Sequence, residues 1–312
     1  METPIISVIV PAYNLENYVA ITIESVIAQT FSSWELVLVN DGSRDNTLLV
    51  CKNYAKQDKR IVVCDQPNGG VSKARQTGFL NSRGEFILFL DGDDVLTPDA
   101  LDTMIRLQRK YNVDVVVPTF VKNNKVRRIL CSGFLNKDEY FKNTILANLP
   151  MSTQNRLYRR SVFGCYDDIV ERSIVNHEDY LTNIMYAKNI KSAFVANIPT
   201  YIITVRPGSA GRTPYPVGYW MHFFSYSRSL FEKEGIPFGI YYVFFLEKFY
   251  SLIRTNKDFD FDYNNPIFLT IKEYKDSVPL SFKARIALYV INHPYQLLIK
   301  ILRLHPRKII RK

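Results

Sequence analysis

Phe86-Ile87-Leu88-Phe89-Leu90-Asp91-Gly92-Asp93-Asp94 is an apolar run that breaks at once into three carboxylates around a glycine. A short apolar run bounded by a turn reads as a strand buried on both faces, here Glu85 to Leu90. The same pattern occurs three times upstream: Ile5 to Val10 breaks at Pro11 to Asn14, Glu35 to Val39 at Asn40 to Ser43, and Ile61 to Cys64 at Gln66 to Gly70. Helical spacing fills the gaps. Leu15, Tyr18, Val19, Thr22, Ile23, Val26 and Ile27 share one face, with Asn14 as candidate cap. Asp45 is a candidate cap for a helix to about Gln57, and Ser72 for one that Gly84 ends as a left-handed residue. Thr97-Pro98-Asp99 has the composition of a helix start, and Asp114 to Val117 reads as a fifth strand. Alternating strands and helices imply an α/β chain, a mostly parallel, Rossmann-like sheet with helices on both faces. Ligands of such sheets bind beyond the carboxyl ends of the strands, where all four polar turns fall.

The chemistry of these turns narrows the function. The three carboxylates of Asp91, Asp93 and Asp94 repel one another unless a cation lies among them, and oxygen ligands favour hard ions such as Mg²⁺ or Mn²⁺. Gly92 would let the backbone turn sharply and approach a ligand. An acidic cap for the next helix is the plainer reading, but Thr97-Pro98 already supplies that start. Asp41 ends another strand and can accept a base N–H, although such turns are also common without a ligand. Asn68-Gly69-Gly70-Val71-Ser72 puts flexible backbone ahead of a helix start, which suits an anion, and Arg75 falls on that helix's first turn. Glu178-Asp179 opens an apolar-periodic helix through about Lys188. The pair is either held there by the helix dipole or supplies a carboxylate to take an acceptor proton. No GxxxxGK[ST] occurs and no GxGxxG follows a strand, which argues against P-loop NTPases and dinucleotide oxidoreductases. A nucleotidyltransferase would need a basic or glycine-rich loop early in the chain, yet Pro11 to Gln29 has no Lys, Arg or Gly. A non-catalytic binding protein on a decayed fold would be expected to have lost the acidic motif or the base, and both are intact.

Beyond Val117 the pattern is less regular. Phe120 to Leu130 reads as a hairpin turning at Asn123-Asn124, Ala193 to Val205 as extended, and the chain beyond Gly211 as helical and aromatic. The formal net charge of +10 is concentrated at the end: residues 272–312 hold ten Lys or Arg against two acids. Such a tail suits an anionic membrane surface or a solvated face. On either side of Pro294, Ile286, Leu288, Val290 and Ile291, then Leu297, Leu298, Ile299, Ile301 and Leu302, can form apolar faces for a bilayer interface. Nucleic acid is not an expected partner. The four cysteines form no CxxC pair and read as free thiols of a reducing cytoplasm. No apolar run reaches the roughly 18 residues that span a bilayer, and Ile5 to Val10, with Glu2 before it, is no signal peptide. The expected location is cytoplasmic, with peripheral attachment to the inner face of the cell membrane through the tail.

Four ordered motifs resemble glycosyltransferase family 2, whose members adopt the GT-A fold: Val8-Ile9-Val10-Pro11-Ala12-Tyr13-Asn14, Val39-Asn40-Asp41-Gly42-Ser43, Asn68-Gly69-Gly70-Val71-Ser72-Lys73-Ala74-Arg75, and Phe89-Leu90-Asp91-Gly92-Asp93-Asp94. Asn155 to Arg160 and His177-Glu178-Asp179 extend the likeness, which covers about residues 4 to 212. The resemblance implies an inverting transfer from a nucleotide diphosphate sugar, usually of UDP, to an acceptor hydroxyl, with Mn²⁺ or Mg²⁺ as cofactor. Saccharides, often lipid-linked, are the implied acceptors, and surface polysaccharide or glycolipid synthesis the setting. It gives base and ribose to Pro11, Ala12, Tyr13 and Asn14 and the base to Asp41. Asn68, Gly70 and Arg75 join the donor site. Asp91 would face the ribose or the metal, and Asp93 would bind the metal. Asp179, ahead of Glu178, would be the general base. Arg206 and Ser209 look like the loop that closes over the diphosphate; some relatives add a histidine metal ligand there, and no His occurs between Lys188 and Trp220. Residues 1–212 would form the catalytic domain, with a nucleotide-sugar half (1–120) and an acceptor half (121–212), and 213–312 a helical, basic extension.

Overall fold

The computed structural model describes residues 3–166, 170–206, 215–255, 262–274 and 280–292. The chain divides into two compact units, Met1–Ser209 and Ala210–Lys312.

The first unit is built on one sheet. Its strands are β1 (Ile6–Ala12), β2 (Trp34–Asp41), β3 (Ile61–Gln66), β4 (Phe86–Phe89), β5 (Val95–Leu96), β6 (Val115–Lys122), β7 (Lys125–Val126), β8 (Gly133–Asn136), β9 (Leu157–Arg159) and β10 (Ser192–Ile203). They lie in the order β3-β2-β1-β4-β9-β6-β10-β5, with β7 on β6 and β8 on β10. The block β3-β2-β1-β4 is parallel, and β6 is parallel to β10. The short β9 is wedged antiparallel between β4 and β6, joining the two parallel blocks. Every residue of β2 is buried, as expected of a strand covered on both faces. Alternation then sorts the core into two layers. Val8, Val10, Leu36 and Leu38 pack on one side of the sheet, and Ile9, Val37, Val39 and Phe89 on the other.

The helices of this unit are α1 (Val19–Ile27), α2 (Thr47–Gln57), α3 (Val71–Leu80), α4 (Ala100–Tyr111), α5 (Lys137–Ile145) and α6 (Glu178–Ala187). Several starts differ from the sequence reading. Asn14 does not cap α1, which begins after Tyr18. Asn14 has φ +52°, and its side-chain oxygen accepts from Arg44 N at 2.8 Å, so it ties two turns together. The cap position of α2 is Asn46, not Asp45; Asp45, one residue before it, accepts from Thr47 N at 3.0 Å. Ser72 lies inside α3, whose cap position is Gly70, and the helix ends at Leu80, well before Gly84. Gly84 instead meets β1: a Cβ there would come within 2.6 Å of Ser7 N. Thr97-Pro98 form the turn before α4, with Asp99 at the cap. The hairpin does turn at Asn123-Asn124, both with positive φ. Helix α5, not among the helices expected from the sequence, starts at a reciprocal capping box of Asn136 and Glu139.

The second unit contains α7 (Val217–Lys233), α8 (Phe238–Thr255), α9 (Pro266–Glu273) and α10 (Phe282–Asn292). Helix α10 packs on α8 and α9. Ala284, Ala287, Val290 and Ile291 are buried there. Val290 and Ile291, read from sequence as part of an interfacial face, are therefore core. Leu297, Leu298, Ile299, Ile301 and Leu302 lie outside the described residues. Among the described residues no helix is long and apolar enough to cross a membrane.

Candidate active site

The sheet brings the four turns to one edge. Ala12 is paired with Asn40, and Asp41 with Gln66, so β1, β2 and β3 end level with one another. The Pro11 to Asn14 turn and the Asn40 to Ser43 turn are cross-tied: Asn14 N donates to Ser43 Oγ at 3.1 Å and Leu15 N to Thr47 Oγ1 at 2.7 Å. Pro11 is half-buried, Ala12 buried, and Tyr13 exposed, an open ring at the edge where a base could stack.

Asp41 is buried and already engaged. Oδ1 accepts from Gln66 Nε2 at 2.7 Å and Gly69 N at 2.8 Å, and Oδ2 from Gly70 N at 2.8 Å. Its backbone oxygen accepts from Asn68 Nδ2 at 2.9 Å. A carboxylate has about four acceptor positions, so one remains for a ligand N–H. Asp41 thus first shapes the Asn68-Gly69-Gly70 loop. Gly42 permits the contact: its φ is +70°, and a Cβ would come within 2.7 Å of Asn68 N. Arg172, unnoticed in the sequence, donates from Nη2 to Asn68 Oδ1 at 2.9 Å.

Arg75 is the centre of the site. Because α3 starts at Val71, Arg75 lies on its second turn and not on the first as the sequence suggested; it points into the protein and is 4% exposed. Nη2 donates to Asp91 Oδ1 at 3.0 Å, and Nη1 donates to Asp179 Oδ1. Carboxylates 88 positions apart in sequence thereby share one buried guanidinium. Asp91 Oδ2 accepts from Gln154 Nε2, and its backbone N donates to Tyr201 Oη at 3.1 Å. Asp179 Oδ1 accepts a second bond from Thr153 Oγ1 at 2.9 Å. Asp179 Oδ2 has no hydrogen-bond partner among the described residues. Burial raises the Asp91 carboxyl above its ordinary value, and Arg75 opposes the rise. Burial, with Asp179 beside it, pushes Glu178 up as well, which favours its protonated form.

The other two acids of the turn diverge. Asp93 is half-buried, and Arg206 Nε donates to its Oδ2. Asp94 is buried; Oδ1 accepts from Thr204 N at 2.7 Å, which ties the turn to the end of β10. Burial, then the charge of Asp91, pushes Asp94 up to about 7. Gly92 is required by packing in its own right: a Cβ would come within 2.8 Å of Leu15 Cδ1 and 2.9 Å of Pro11 O. The repulsion read from sequence is thus met by Arg75, Arg206 and neutral donors. Ser209 lies outside the described residues.

Among the described residues no group of three or more His, Cys, Asp or Glu is arranged to hold a metal. That donor set still fits a cation bound together with a substrate. Hard ions at diphosphates take one or two carboxylates, with phosphate oxygens and water completing the shell. Asp93 is the acid of the turn best suited to that role, because Asp94 is buried and Asp91 is held from both oxygens.

The sequence model of glycosyl transferase family 2 matches residues 7–167, more than half of the chain. This chain belongs to glycosyltransferase family 2. Within the family it is 31% identical over 221 residues to EpsJ, an uncharacterized glycosyltransferase of Bacillus subtilis, covering 68% of this chain and 64% of EpsJ. It is 27% identical over 179 residues to WfgD of Escherichia coli, a UDP-Glc:alpha-D-GlcNAc-diphosphoundecaprenol beta-1,3-glucosyltransferase, covering 56% of this chain and 64% of WfgD. The chain therefore spans just under two thirds of the length of these relatives. The fold matches a crystal structure of Staphylococcus aureus TarS residues 1–349 in complex with UDP-GlcNAc, with a TM-score of 0.73 and 22% identity, over 97% of this chain and 91% of that one. The GT-A architecture expected of the family is the one observed.

Proposed function

We propose that this chain transfers a sugar, with inversion, from a nucleotide diphosphate sugar to an acceptor hydroxyl. The observation that carries this reading is Arg75, buried between Asp91 and Asp179 at the carboxyl edge of the sheet. It links the turn that would face the donor to a carboxylate with one oxygen that has no partner among the described residues. The base and ribose would lie against Pro11 to Asn14, with the open position of Asp41 accepting a base N–H. TarS, whose fold this chain shares, was crystallised with UDP-GlcNAc, which supports UDP as the nucleotide. The name of WfgD supports a diphosphate-linked lipid saccharide as the acceptor class. Synthesis of a bacterial surface polysaccharide or glycolipid, at the cytoplasmic face of the membrane, fits both.

In this reading the acceptor oxygen attacks C1 of the sugar on the face opposite the diphosphate. The C1–O bond to the diphosphate breaks, and its electron pair leaves on the phosphate oxygen. Asp179 Oδ2 takes the hydroxyl proton as the new bond forms. Arg206 is the described cation placed to move from Asp93 to the leaving diphosphate. A divalent ion held by Asp93 would supply further neutralisation of that charge. Glu178 is the weaker candidate for the base, because its environment favours the proton-bound form.

The test is UDP release from a panel of UDP-sugars, with and without saccharide acceptors, by the wild-type chain and by Asp179→Asn. Turnover should fall about 10²- to 10⁴-fold in the variant while donor KM changes little. Full turnover in Asp179→Asn would remove it as the base.

A further inference from the structure

Thr153 and Gln154 are adjacent in the chain, yet they bind the two carboxylates on opposite sides of Arg75. Thr153 Oγ1 donates to Asp179 Oδ1 at 2.9 Å, and Gln154 Nε2 donates to Asp91 Oδ2. Arg75 completes a ring in which each acid is held by one arm of the guanidinium and by one member of this dipeptide. We infer that Thr153 and Gln154 are positioning residues for the transfer, Thr153 acting on the base and Gln154 on the donor-facing acid. The inference rests on the roles given above to Asp179 and Asp91.

The geometry gives the two residues different tasks. Both donors to Asp179 converge on Oδ1, and Oδ2 is left with no partner among the described residues. Arg75 alone would leave the carboxyl plane free to swing about one contact. A second donor from another segment fixes the plane and so fixes where Oδ2 points. A general base must lie within hydrogen-bond reach of its proton, so this orientation acts in the transition state. Gln154 does the same for Asp91, which has no free oxygen and faces the donor side of the ring.

The segment carrying the pair is itself held. Asn155 N donates to Phe89 O at 3.3 Å, at the end of β4. Asn183, one turn along α6 from Asp179, donates to Met151 O at 2.6 Å and accepts from Tyr158 Oη at 2.9 Å. Arg156 is buried, donating to Tyr140 Oη at 2.6 Å and to Pro150 O. Residues 150–158 therefore lock to the strand before Asp91 and to the helix bearing Asp179. Thr153 is also buried, so its hydroxyl can be removed with little change in shape.

The experiment compares Thr153→Val, Thr153→Ser and Gln154→Met with wild type and with Asp179→Asn. The readouts are steady-state UDP release from the UDP-sugar the wild-type chain turns over, UDP binding by calorimetry, and the melting midpoint. Loss of a hydrogen bond to a charged group corresponds to roughly a 10- to 100-fold effect. Thr153→Val should lower kcat by about that factor with donor KM within about twofold, and Thr153→Ser should restore it. Gln154→Met should instead weaken UDP-sugar KM and UDP affinity about tenfold, with a smaller change in kcat. Unchanged kcat in Thr153→Val beside an inactive Asp179→Asn overturns the role of Thr153 and leaves the base standing. A loss that serine does not restore overturns it too. Unchanged donor KM and UDP affinity in Gln154→Met overturns the role of Gln154. An active Asp179→Asn overturns the reading of the base itself.

Discussion

Replacing Arg75 with methionine keeps an unbranched apolar stem and removes the guanidinium that Asp91 and Asp179 share. Arg75 is 4% exposed, while the side chains of Asp91 and Asp179 are 28% and 18% exposed. Breaking a fully buried ion pair by removing one partner costs about 3–5 kcal/mol. Both acids keep some contact with solvent, so the lower end applies, about 3 kcal/mol. At about 2–4 °C per kcal/mol for a unit of this size, the melting midpoint should fall by roughly 6–12 °C. The loss should depend on pH. Burial already raises the Asp91 carboxyl, and without Arg75 to oppose that rise it titrates higher still in the folded chain than in the unfolded one. The folded variant then binds more protons than the unfolded chain above about pH 4, and its stability falls as pH rises through that window. The deficit against wild type should be largest near neutral pH and shrink on acidification. The assay is thermal and urea unfolding at pH 5 and 7.5, without nucleotide and with chelator. Arg75→Met/Asp91→Asn should recover part of the loss, because one unpaired charge is gone. A single variant within about 0.5 kcal/mol of wild type at pH 7.5, the range of an ordinary surface change, would refute the account. So would a deficit that grows on acidification.

Two further perturbations test the edges of the site and the tail. Asp93→Ala should abolish the Mn²⁺-dependent part of UDP affinity in calorimetry and leave the melting midpoint without ligand nearly unchanged, because Asp93 lies on a turn at the sheet edge; metal-dependent affinity equal to wild type would remove Asp93 as the ligand. The full chain should float with anionic vesicles and lose that binding at high salt, whereas a chain ending at Asn292 keeps α10 and its packing but should not float. Equal behaviour of the two would leave residues 293–312 as solvated charge.

Much of the fold was legible because short-range physics wrote it. The runs at Ile5, Glu35 and Phe86 are buried on both faces, so they stand out as unbroken apolar stretches. The run at Ile61 is the edge strand, and only Ile61 in it is fully buried. The polar turn after each of the four still marks a strand's carboxyl end. The turn at Asn123-Asn124 was legible for a similar reason, since two successive asparagines tolerate left-handed backbone. Helix boundaries were less so. Asn14, Ser72 and Thr97 all have cap chemistry, but the same side chains can tie neighbouring turns together, as Asn14 does with Arg44.

The sequence by itself determined the α/β order, the four turns, and the acids and glycines within them. It also drew attention to Asp91, Asp93, Asp179, Arg75 and Arg206 as chemistry-bearing residues. Only the tertiary structure decided which charge meets which. Arg75 meets Asp91 and Asp179, Arg206 meets Asp93, and Asp94 turns inward to Thr204 N. Thr153 and Gln154 have no signal in the sequence, being a common dipeptide in an irregular stretch. They gain meaning because β9 is inserted between β4 and β6, which carries the residues just before it past the end of β4. Periodicity reports which face a residue is on, a property of its near neighbours. A hydrogen bond between residues 104 positions apart, as from Arg75 to Asp179, depends on how sheet and helices close on one another, and no local pattern encodes that.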